Sequence, residues 1–161
     1  MPGIDPMFVY PLLGADDTWS GFSIEFTPMA PSRESVAEML ASPLLDQFDH
    51  RHPWLLPALA GGYDAGLLTD RSVSVFPNTP APQEAEALGE LEASLRLARR
   101  KVGLMAAPEA KLPAAGGWDY LLIGSSHARS LQPYTLIGMA SLTKLVATDV
   151  HSHSDREWVL S

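Results

Sequence analysis

Three clusters in this chain carry residue types that do chemistry. Asp49, His50 and His52 form D-H-R-H, and His151, His153 and Asp155 form H-S-H-S-D. Imidazole with carboxylate suits zinc or another divalent ion, and H-x-H on a strand puts both rings on one face. Neither cluster has a third partner at a defined spacing. Solvated loop histidines are the simpler reading, and no metal ligand is assigned. The third cluster is Gly124–Arg129, G-S-S-H-A-R. A Gly/Ser tip at a strand end, opening a helix with an arginine nearby, presents N–H groups and a cation to a phosphate. Ser125, Ser126 and Arg129 are its candidate contacts. The competing reading is an ordinary strand-to-helix loop with a serine N-cap. Ser125 or Ser126 beside His127 has the types of a nucleophile and its base. Adjacent residues rarely point at one another, however, and no strained elbow motif surrounds them.

The elements that must position these clusters are short apolar strands ending in polar tips. In Lys144–Trp158 the apolar run Leu145–Ala147 ends in Thr148 and Asp149, and a helix starts at Asp155. Lys101–Glu109 and Tyr120–His127 have a similar form. The run Tyr120–Ile123 is apolar throughout, as expected of a parallel strand buried on both faces. Upstream, Met7–Leu13 reads as a strand whose Pro11 marks an edge or an end. Trp19–Thr27 alternates at period two, with Phe22, Ile24 and Phe26 on one face and Ser23 and Glu25 on the other. The two make an opening hairpin or meander. Ser72–Phe76 is a further strand. Helices are expected over Arg33–Ala41 with Ser32 as cap, over Pro53–Ala60 with proline in its first turn, over Gln83–Arg100, and over His127–Gln132. In Gln83–Arg100 the residues Ala85, Leu88, Leu91, Leu95 and Ala98 recur at three- and four-residue spacing. Its acidic N-terminal half and basic C-terminal end match the helix dipole. Strands alternating with helices point to βα units and a parallel sheet, with ligands at the carboxyl ends of the strands.

Composition narrows the function classes. The 161 residues suffice for one domain with a core, expected over 7–161. The opening M-P-G-I-D-P before Met7 reads equally as a tag remnant, a disordered N-terminus or native chain, and is set aside. With no cysteine, disulfides, iron–sulfur clusters and thiolate zinc sites are excluded, which fits a cytoplasmic protein. A net charge of −8 repels phosphates and argues against a nucleic-acid polymer as partner. The apolar runs are far too short for a membrane span. The four tryptophans read as core or interface anchors.

The strand followed by A-T-D-V-H-S and an acidic helix start resembles the A-E-G-V-E-T segment of EAL-type cyclic-di-GMP phosphodiesterases, which are bacterial signalling domains. The resemblance covers most of the chain from Phe8 and implies an α/β fold, a modified and incomplete TIM-like (EAL-type) βα barrel. Trp19–Phe26 would carry the E-x-L motif, Ser72–Asn78 a metal-binding Asn, Val102–Pro108 the paired aspartates and Tyr120–Ser125 the K-x-D motif. The family's reaction needs carboxylates and an Asn to hold cations that activate water. Here the E-x-L glutamate falls at Ser23, with Glu25 two residues on and on the same strand face. The Asn falls near Val75, with Asn78 beyond. The aspartates fall at Ala106 and Ala107, the K-x-D pair at Leu122 and Gly124, and the last two glutamates at Thr148 and His151. Asp149 stands where the family has Gly.

The resemblance therefore implies no catalytic residue, no cofactor and a non-catalytic regulatory or protein-interaction role. Glu25, Asn78, Ser125, Ser126, Arg129 and Asp149 are the residues left to contact a ligand. Two alternatives stand beside it. One is a metal-independent cyclic-di-GMP receptor, and the other is an unrelated metal-dependent hydrolase built on the histidine clusters. In the family further strands close the barrel after the segment that ends here at Ser161. The resemblance thus implies a domain truncated at its C-terminal end, its missing wall supplied by a second copy, a protein partner or a removed C-terminal region.

Overall fold

A computed structural model of the chain describes residues 7–14, 16, 18–26, 33–43, 52–61, 68, 70–106, 117–148, 150 and 153–160. The fold is mixed α/β, and the chain divides into two compact units: Met1–Val75 with Ala81–Lys101, and Phe76–Pro80 with Val102–Ser161.

The first unit opens on the expected hairpin. Strand β1 (Met7–Leu13) pairs antiparallel with β2 (Trp19–Phe26), with a register shift between Leu12 and Leu13. The turn is tied by Gly14 N–H donating to the Thr18 carbonyl at 2.9 Å. Asp16 Oδ1 accepts from Thr18 Oγ1 at 2.7 Å and from Thr18 N–H at 3.2 Å. Phe22, Ile24 and Phe26 are buried while Glu25 is exposed, as the period-two pattern requires. On its other side β2 runs parallel to β3 (Trp54–Pro57), and β3 runs parallel to β4 (Ser72–Pro77). Gly21 suits the close approach at this junction, where a Cβ would lie 3.0 Å from the Pro53 carbonyl oxygen, tighter than an ordinary contact.

Strand β3 corrects the helix expected over Pro53–Ala60. Trp54, Leu55 and Leu56 are all buried, as an inner strand of a parallel sheet requires. The Trp54 N–H donates to the Arg71 carbonyl and the Ala58 N–H to that of Val75, both on the β4 side. By alternation the absent N–H of Pro57 falls on the β2 side, beyond the last β2–β3 pair, Ser23 with Leu55. The two prolines bracket a short strand instead of starting a helix.

Helix α1 (Arg33–Leu40) lies within the expected range and buries Val36. The expected cap, Ser32, lies outside the described residues. Helix α2 (Ala85–Leu97) is shorter than expected, and it buries Leu88, Leu91 and Leu95. Ala85 and Ala98 are exposed, since Ala98 is already the C-cap. Arg99 follows with φ 57, its N–H on the Arg96 carbonyl, and Arg100 N–H reaches the Leu95 carbonyl at 2.8 Å. This is a Schellman ending with arginine where glycine is usual.

In the second unit β5 (Lys101–Met105), β6 (Tyr120–Gly124) and β7 (Lys144–Thr148) run parallel in that order. Val102, Leu104 and the run Tyr120–Ile123 are buried, so β6 is the inner strand its unbroken apolar pattern requires. Helix α3 (Ser125–Arg129) follows β6 directly, two residues ahead of the expected start. The apolar run after it is α4 (Pro133–Ala140), begun by proline in its first turn. Helix α5 (His153–Leu160) occupies the expected terminal position. Among the described residues no helix is long and apolar enough to cross a membrane.

Candidate functional site at the strand tips of the second unit

The carboxyl ends of β5, β6 and β7 come level in the sheet. Ala106, just past β5, donates its N–H to the Leu122 carbonyl at 2.8 Å, and Gly124 of β6 pairs with Thr148 of β7. Asn78, beyond the end of β4, donates its N–H to the Met105 carbonyl at 3.1 Å. Asn78 is thus held beside the β5 tip by its backbone and is half-buried. The tips carry Met105, Ala106, Gly124 and Thr148, which are apolar, small or neutral.

The Gly124–Arg129 cluster sits on this level. Gly124 is the N-cap of α3, extended at φ −62 and ψ 140, and makes no side-chain cap bond. This corrects the serine N-cap reading: both serines lie inside the first helical turn. Ser125 is buried at 2% exposure, which closes its hydroxyl to a substrate, and Ser126 is exposed. The His127 carbonyl accepts from Ser130 Oγ at 2.6 Å, while His127 Nδ1 is buried with no hydrogen-bond partner.

Arg129 faces another part of the fold. Its Nη2 lies 3.0 Å from Asp155 Oδ1 and donates to the Ser154 carbonyl at 3.1 Å. The guanidinium carbon is 5.2 Å from the ring centroid of Trp158. Three groups of α5 therefore hold the cation that sequence reasoning offered to an anion. The separation of 29 positions between Arg129 and Trp158 left no local signal.

Glu25 lies in the first unit, exposed on β2 and paired across the hairpin with Phe8. Asp149 lies outside the described residues, as do Asp49, His50 and His151. His52 is described, with its ring 6.2 Å from that of Phe22 in an edge arrangement. No group of three or more His, Asp or Glu able to hold a metal ion occurs among the described residues.

Sequence reasoning passed over Asp119, at the amino ends of the same strands. Its Oδ2 accepts from Val102 N–H at 2.9 Å, and its own N–H donates to the Val102 carbonyl at 2.9 Å. Its carbonyl accepts from Lys144 N–H at 3.1 Å. One residue thus ties β5, β6 and β7 at their starts. Lys144 Nζ sits 5.5 Å from the Tyr120 ring centroid on the same level. The sole available signal was a lone acidic residue just before an apolar strand.

Against known proteins, the chain matches no family model, no curated protein and no solved structure.

Proposed function

We propose that this chain is a non-catalytic, EAL-like regulatory or protein-interaction domain of a bacterial signalling system, working in the cytoplasm. The observation that carries the reading is the chemistry of the strand tips. Where an EAL-type phosphodiesterase needs carboxylates to hold its cations, this chain puts Ala106 after β5, Gly124 at the end of β6 and Thr148 at the end of β7. The order of elements supports the modified TIM-like barrel: an opening hairpin, then parallel strands with helices between them. Its partner is a second copy or another protein that continues the sheet.

The test is hydrolysis of cyclic-di-GMP with magnesium or manganese, followed by chromatography of the products. The expected result is no turnover above the buffer blank, and turnover overturns the reading. Calorimetry with cyclic-di-GMP separates the interaction domain from a metal-independent receptor. A saturable heat would make the chain a receptor, with Ser126 and Asn78 the first residues to vary.

A further inference from the structure

Among the described residues β1 and β7 each pair with a neighbour on one side only, and their outer edges are built differently. On β1, Pro11 pairs with Phe22, whose N–H is turned to β3, donating to the Pro53 carbonyl at 2.9 Å. The Pro11–Phe22 pair is therefore a non-hydrogen-bonded one, and the N–H that proline lacks is missing from the outer edge. With the register shift at Leu12/Leu13, β1 carries two of the devices that blunt an edge. Strand β7, K-L-V-A-T, carries neither, and its one charge, Lys144, is at the end. Its apolar residues Leu145, Val146 and Ala147 are half-exposed, whereas Tyr120–Ile123 of β6 are buried.

The polarity of β7 follows from one bond. Lys144 N–H donates to the Asp119 carbonyl, towards β6. Backbone groups alternate along a strand, so Val146 and Thr148 also face β6. Leu145 and Ala147 turn their N–H and C=O outward. We propose that a second copy of this chain pairs with β7 antiparallel, about a two-fold axis at Val146. In that register Leu145 meets Ala147 of the other copy as a hydrogen-bonded pair, twice over by symmetry, and every outward group of the two residues is satisfied. Val146 faces its own counterpart across the axis in a close, non-hydrogen-bonded pair. Lys144 stands opposite Thr148, so no like charges meet. The inference deepens the reading of an interaction domain that continues its sheet, and it rests on that reading.

The experiment is light scattering coupled to size exclusion over a concentration series of the full chain. The wild type is expected to dimerise. Ala147→Pro removes an outward N–H and leaves the bonds to β6 in place, so it is expected to be a folded monomer at concentrations where the wild type is dimeric. Val146→Lys alone and Val146→Glu alone put like charges opposite each other at the axis and are also expected to be monomeric. Mixed, they are expected to form a heterodimer. That result requires both to be folded, so misfolding cannot imitate it. A wild type that is monomeric at every concentration overturns the proposal. A dimer that survives Ala147→Pro, or a Lys/Glu mixture that stays monomeric, also overturns it. Because cyclic-di-GMP turnover is measured separately, failure here is distinct from failure of the non-catalytic reading.

Discussion

Arg129 and Asp155 meet at 3.0 Å across 26 residues of chain, joining the end of α3 to the first turn of α5. The Arg129 side chain is 37% exposed and that of Asp155 27%, so solvent screens the ion pair, which alone contributes little. Stacking on Trp158 and the bond to the Ser154 carbonyl add to it. Arg129→Ala is expected to cost about 1 kcal/mol and to speed hydrogen exchange in α5 ahead of β6. Arg129→Lys keeps the charge without the planar contact and should fall between the two.

Asp119 is expected to be more costly to lose. Val102 is buried, and its N–H has Asp119 Oδ2 as partner at 2.9 Å. Asp119→Ala leaves that donor unsatisfied, at about 1–3 kcal/mol in a denaturant melt. Asp119→Asn keeps an acceptor and should recover a large part of the loss.

Arg99 offers the opposite case. It holds the left-handed conformation that ends α2, at φ 57. Side chains other than glycine are strained there by about 1–2 kcal/mol. Arg99→Gly is expected to raise the melting temperature by a few degrees, because relief of strain outweighs the added freedom of the unfolded chain. An unchanged or lower melting temperature would contradict this.

Asp16 sets a pH dependence for the hairpin. The Thr18 hydroxyl first, and the Thr18 backbone N–H second, hold its carboxyl below the ordinary value of 3.8. A carboxylate lowered on folding contributes stability above its unfolded value and loses that contribution as pH falls through the folded one. The wild type should therefore exceed Asp16→Ala in stability at neutral pH, and the gap should close as pH falls below 3.8. Thermal melts from neutral to acid pH read the difference directly. A gap that widens in acid would contradict the assignment.

The parts of the fold that were legible share one physical cause. Strand β2 shows its buried face because one side only is covered, and α2 shows Leu88, Leu91 and Leu95 at helical spacing. Strand β6 is legible as an unbroken apolar run because both of its faces are buried. Strand β3 was misread because its signal was too short to outweigh two flanking prolines, and its bonds go to β2 and β4, distant in sequence. At the candidate site, the composition of the strand tips could be read directly. The engagement of Arg129 could not, since it depends on where α5 docks.

Pro11 also bears on how large an assembly can grow. A fibre built edge to edge needs two adhesive edges on every molecule. Proline on β1 lacks the outward N–H at position 11, and the two-fold pairing proposed at β7 would occupy the outer edge of that strand. Growth by that route would stop at two copies. A single ring closure in one side chain would then make the association finite, and Pro11→Val is the change that would remove that ceiling.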